Sequence, residues 1–132
     1  MSTFRPDYIT YEGALYDSER HPTETNKLVR RDIREAVKMG VLPPMKYSVR
    51  RGYGWGDITI SAGGDSWDWA VETVEPTEFE PFPTTRLTAE AQEVGQALRW
   101  IGEQYVRHTT ESQTDYASGG FVSVYAGGGM CL

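Results

Sequence analysis

Arg50-Arg51-Gly52-Tyr53-Gly54-Trp55 is the stretch whose residue types and spacing come nearest to chemistry. Two guanidinium groups stand beside two aromatic rings at a glycine-rich turn. Guanidinium neutralises phosphate and aromatic rings stack on bases, which is the chemistry of single-strand recognition. The plainer reading has Tyr53 and Trp55 folded back onto the protein, and it carries more weight. The stretch is not a P-loop, because that motif places a lysine and a hydroxyl at the start of a helix and a strand pattern follows here. A second basic set, Lys27, Arg31, Arg34 and Lys38, recurs at helical spacing and forms a stripe about 60° wide. It is either a contact for phosphate or an acidic partner, or, the reading that carries more weight, a solvated helix face with Glu35 partly offsetting Arg31.

Catalytic sets are harder to find. Nucleophilic catalysis needs a nucleophile, a base and an orienting group. His21 and His108 are the two histidines; the first precedes a proline in an expected loop, and the second ends an expected helix, where a cation suits the carbonyl end. Cys131 stands next to the last residue, a poor place for a preorganised nucleophile. No zinc-ligand spacing is present. Asp65 with Asp68, or Glu111 with Asp115, would bind a hard cation only with further ligands. No catalytic residue, metal or cofactor is assigned, and the expectation is a protein that is not an enzyme.

Charge is segregated along the chain. Residues 1–26 carry a net charge of −3, residues 27–51 a net +6, and residues 52–132 a net −9, within a total of −6. The basic segment keeps nucleic acid open as a partner despite the acidic whole. No apolar run approaches the roughly 18–20 residues that span a bilayer, and no signal-peptide pattern opens the chain. With a single cysteine, these features lead to the expectation of a cytoplasmic protein without membrane contact.

The elements that must position these residues read as follows. A helix is expected from Asn26 to Met39, capped by Thr23 or Thr25, with Val29, Ile33, Ala36 and Val37 on one face and Gly40 with Pro43-Pro44 ending it. Lys46–Arg50 and Asp57–Ser61 alternate polar and apolar, the pattern of half-buried strands. Gly52, Gly54 and Gly56 between them supply the positive φ of a hairpin turn. Tyr47 and Val49 are expected to pair with Ile58 and Ile60 on the buried side, leaving Lys46, Ser48, Arg50, Thr59 and Ser61 on the open face. Alternation from Trp67 to Glu72 suggests a third antiparallel strand, followed by a proline- and glutamate-rich loop to Pro83. Thr88 caps a second helix, Ala89 to Arg107, with Val94, Leu98, Ile101 and Tyr105 inward. Gly95 and Gly102 beside that stripe imply close approach of the sheet. Trp100 lies on the polar side, either under a loop or as a partner anchor. Phe121–Tyr125 forms the last strand.

The expected fold is therefore α+β: a small antiparallel sheet of three to four strands with two helices on one face, in the order α-β-β-β-α-β. Residues 1–25 are expected as an N-terminal arm, 26–126 as a single α+β domain and 127–132 as a flexible tail.

The basic helix, the Lys46-Tyr47-Ser48-Val49-Arg50 strand, the Asp57-Ile58-Thr59-Ile60-Ser61 strand and the Thr110-Glu111-Ser112-Gln113-Thr114-Asp115-Tyr116 loop together resemble large polyvalent protein-associated domain 29, over residues 26–125. The pattern departs at Glu111 and Ala117, where that family favours Asp and Phe. The resemblance implies a phage or mobile-element setting without an established enzymatic activity. The expected function is a non-enzymatic interaction protein acting on a host protein or small ligand in the host cytoplasm, where it would counter or modulate a host system. The alternative is a nucleic-acid-binding module built on residues 27–51. The binding candidates are Lys27, Arg31, Arg34, Lys38, Arg50, Arg51, Tyr53, Trp55 and Trp100, and homo-oligomerisation is left open.

Overall fold

A computed structural model describes residues 8–111 and 117–132. The chain runs β1 (Tyr8–Glu12), α1 (Pro22–Lys38), β2 (Tyr47–Arg51), β3 (Ile58–Ala62), a 3-10 turn (Asp68–Ala70), β4 (Val71–Val74), β5 (Thr84–Leu87), α2 (Ala89–Glu103), β6 (Arg107–Glu111), β7 (Ala117–Gly119), β8 (Val122–Ala126) and β9 (Met130–Cys131). The class is α+β with two helices among the described residues. The strands form three sheets, in the orders β1-β6-β7, β2-β3-β8-β9 and β4-β5.

The central sheet corrects the expectation of one wholly antiparallel sheet. β2 and β3 form the expected antiparallel hairpin, but two residues out of the expected register, with Tyr47 opposite Ala62, Val49 opposite Ile60 and Arg51 opposite Ile58, and β3 and β8 run parallel. The reason is the route: β8 is reached only after α2 has crossed the sheet, and a crossover connection returns the chain in the same direction. The strand expected from Trp67 to Glu72 is also corrected. Gly63 and Gly64 both adopt positive φ, the chain turns, and Trp69 Nε1 donates to the Ser66 carbonyl at 3.2 Å. Ala70 N donates to the Trp67 carbonyl at 3.0 Å, which closes a 3-10 turn ending at the buried Ala70. Pairing resumes at Val71, with β5 as partner rather than the central sheet.

Both helices cover one face of the central sheet. Val29, Ile33 and Ala36 of α1 and Val94, Leu98 and Ile101 of α2 meet Val49, Ile58, Ile60, Ala62 and Val124 in one core. Each helix departs from its expected ends. α1 begins four residues early, because Pro22 suits the first turn and His21 caps it, its Nδ1 accepting from Thr23 N at 3.1 Å. α2 starts where expected, with Thr88 Oγ1 accepting from Ala91 N, but stops at Glu103. Arg107 and His108 belong to β6. Gly102 bears out the close-approach argument, since a Cβ there would lie 2.8 Å from Cγ1 of Val122. Gly95 faces Leu132 instead.

The first and last described segments both join sheets. Tyr8–Glu12 of the expected arm pairs with β6, and the Tyr11 hydroxyl donates to the Glu103 carbonyl at 2.8 Å. His108 lies between Tyr11 and Phe121, with ring centroids 5.2 and 4.6 Å away. The segment expected as a flexible tail instead supplies β9 on the edge of β8, and Arg99 donates to the Leu132 oxygen at 3.1 Å.

Candidate functional site

The sheet face away from the helices is polar and open. The register places Arg50 opposite Thr59 and Thr59 opposite Ser123. One step along, Ser48 lies opposite Ser61 and Ser61 opposite Tyr125. Two rows of polar side chains thus cross three strands. They exist because residues two apart on a strand share a face, and the intervening Val49, Ile60 and Val124 are claimed by the core. A shallow depression of about 430 Å³ lies over this face, bounded by Arg51, Tyr53 and Asp57 at one end and Gly128 and Gly129 at the other.

The hairpin tip that closes the depression is held by Asp57. Its carboxylate accepts from Gly54 N and from Phe121 N, each at 2.9 Å. Gly52 N donates to the Asp57 carbonyl at 3.0 Å. Of the three tip glycines, only Gly56 takes positive φ, at 86°. The same carboxylate therefore fixes the tip and the approach to β8, bringing both sides of the open face into one frame.

The expected site residues separate into three places. Arg50 and Tyr53 line the open face, and Tyr53 is fully exposed, whereas Arg51 only borders its end: it sits opposite Ile58 in register, on the core side of the strand. Trp55 turns the other way, toward the start of α1. It makes an edge contact with His21 at 5.7 Å and lies under the Arg51 guanidinium at 5.5 Å, yet remains 67% exposed.

Lys27, Arg31, Arg34 and Lys38 are exposed on α1, across the core from the open face. Lys27 pairs with Glu24, Arg31 with Asp32 and Lys38 with Glu35, so most of the stripe is neutralised locally. Among the described residues no ion pair reaches Arg34, Arg50 or Arg51.

Trp100 stands apart, 66% exposed beside Leu15, Met39 and Val41 in an apolar groove between α1 and α2. Below this groove the Tyr105 hydroxyl donates to Asp32. Burial first, and then the bond to Asp32, pushes Tyr105 up to about 12. Tyr47 is likewise raised to about 12, by burial and then by Glu90; its hydroxyl donates to the Pro43 carbonyl at 2.6 Å.

Ser123 and Tyr125 were absent from the sequence-derived candidates. Their alternation with Val122 and Val124 was legible, but their place beside Thr59 and Ser61 depends on the parallel pairing. Asp115 and Tyr116 lie outside the described residues. Among the described residues, no group of three or more His, Cys, Asp or Glu is placed to hold a metal ion, and no helix is long and apolar enough to cross a membrane. No family model, curated protein or solved structure matches the chain.

The open face can do one thing well. The Arg50 guanidinium beside a field of hydroxyls offers charge-assisted hydrogen bonds to an oxyanion, and Tyr53 and Tyr125 offer ring faces nearby. A phosphate carried on an aromatic base has both features.

Proposed function

We propose that this is a non-enzymatic binding protein whose open sheet face takes a phosphate-bearing ligand of about nucleotide size. The observation that supports it is the pair of polar rows, Arg50–Thr59–Ser123 and Ser48–Ser61–Tyr125. A depression of about 430 Å³ falls in the range of small-ligand sites. Arg50 holds the phosphate, the hydroxyls orient it, and a tyrosine ring stacks on the base. The ligand is either a free nucleotide or the same unit within a single strand. The proposed setting, a phage or mobile element acting in a host cytoplasm to modulate a host system, rests on the short sequence motifs within residues 26–125 alone.

Calorimetric titration with adenosine monophosphate and with a short oligothymidylate, at low and high salt, tests this reading. Saturable binding of the mononucleotide, lost in Arg50→Ala, supports a nucleotide site. Binding of the oligonucleotide alone, with steep salt dependence, supports the single-strand form. Heat from neither probe, or undiminished binding by Arg50→Ala, overturns the proposal.

The groove around Trp100 favours a second reading, a host-protein contact. Its floor is apolar, and Asp32 and Glu35 stand along one side. The occupant that fits is an amphipathic segment with apolar anchors and flanking basic residues. A leucine–lysine model helix should shift the Trp100 indole resonance, and Trp100→Ala should bind it roughly tenfold more weakly or worse. An unshifted indole removes this reading.

A further inference from the structure

The β4–β5 ribbon ends in a loop, residues 75–83, with sequence Glu-Pro-Thr-Glu-Phe-Glu-Pro-Phe-Pro. Phe79 is 92% exposed and Phe82 76%. Large apolar side chains this exposed at a projecting tip are uncommon unless something covers them. The loop is shaped in advance. Thr77 N donates to the Glu80 carbonyl at 2.8 Å, and Glu80 N donates to Thr77 Oγ1 at 3.1 Å. Three prolines restrict the rest, which lowers the entropy lost when the tip is held. At the base of the loop, Arg86 Nε meets Glu72 at 2.7 Å.

A receptor for this tip exists on the same chain. Between α1 and the edge strand β2 lies an apolar cleft of about 450 Å³, floored by Ile33, Val37, Met45 and Tyr47 and rimmed by Arg30, Arg34 and Lys38. Two phenyl rings framed by Glu75, Glu78 and Glu80 meet an apolar floor framed by Arg34, by Lys38, which pairs with Glu35, and by Arg30, which donates to the Val49 carbonyl. Arg34 has no ion pair among the described residues. The tip is not docked in its own cleft, since both phenyl rings are exposed. The ribbon base packs with Ala126, Met130 and Leu132 at the β9 side of the molecule, while the cleft lies along β2, the opposite edge of the central sheet.

We propose that the ribbon tip of one copy docks into the α1–β2 cleft of a second copy. The contact is heterologous, since each copy offers a tip to one neighbour and a cleft to another. Such contacts propagate into open filaments or close into rings.

Sedimentation velocity across a concentration series tests the proposal, using wild-type protein, a tip variant (Phe79→Ser with Phe82→Ser) and a cleft variant (Arg34→Glu with Lys38→Glu). All substituted side chains are exposed, and circular dichroism checks that each variant is folded. Wild type should grow beyond a dimer with concentration, and less so at high salt. Each variant alone should associate at least about tenfold more weakly. Mixing the two variants should restore a single 1:1 dimer, because the tip variant keeps a cleft and the cleft variant keeps a tip. A wild type that stays monomeric, variants that assemble like wild type, or a mixture that does not pair would each overturn it.

Discussion

Arg30 reaches from α1 to the edge of the sheet, where its Nη2 donates to the Val49 carbonyl at 2.7 Å. β2 is an edge strand, and its outward carbonyls would otherwise be free to pair with another chain. Arg30 thus ties helix to sheet and blunts that edge. Arg30→Ala should lower the unfolding free energy by about 1–2 kcal/mol and increase light scattering on storage. Urea denaturation and a scattering time course check the two effects separately.

Gly102 faces the sheet with no room for a side chain, as a Cβ would meet Val122 at 2.8 and 3.1 Å and Ile60 at 3.3 Å. Alanine improves helix propensity by about 1 kcal/mol, but overpacking of this kind costs about 1–3 kcal/mol. The clash prevails: Gly102→Ala should melt several degrees lower. A thermal melt that is unchanged or raised would show that α2 can move away from β8.

Asp57→Ala removes the acceptor shared by Gly54 and Phe121. Two hydrogen bonds to a charged group disappear, a loss of about 2–4 kcal/mol. Amide exchange should speed up at Gly54 and Phe121 together. Binding of the proposed ligand on the open face should weaken as well, since Tyr53 is positioned by the same turn.

Stability should fall in alkali for a specific reason. Tyr47 and Tyr105 are each raised to about 12 in the folded protein, above the usual tyrosine value of about 10. The unfolded chain therefore loses these protons first as pH rises. Their contribution is intact below pH 10 and is lost progressively between about pH 10 and 12. Tyr105→Phe should flatten part of that decline, which denaturant melts at stepped pH would show.

Local pattern carried much of this fold. The hairpin, both helix bodies and the open-face placement of Arg50, Thr59 and Ser61 follow from periods of two and 3.6. Pairings between distant segments do not. Nothing near Tyr8–Glu12 encodes that it lies along β6, and nothing in Val122–Ala126 encodes a parallel partner. The Trp67–Trp69 alternation misled because two glycines with positive φ turned the chain before a strand could form. The site suffered likewise: Arg50 and Tyr53 were visible, Arg51 turned instead to Trp55, and Ser123 and Tyr125 join the face only through tertiary pairing.

The bond from Phe121 N to Asp57 spans 64 positions, and the adjoining β3–β8 pairing spans a comparable distance. During synthesis, the hairpin and α1 leave the ribosome long before the strand that completes their sheet. Until β8 arrives, β3 has one bare side, and the core beneath it lacks Val124. Folding of this chain should therefore be slow for its size, and the nascent protein should be most exposed to misassembly or proteolysis in the interval between emergence of β3 and emergence of β8.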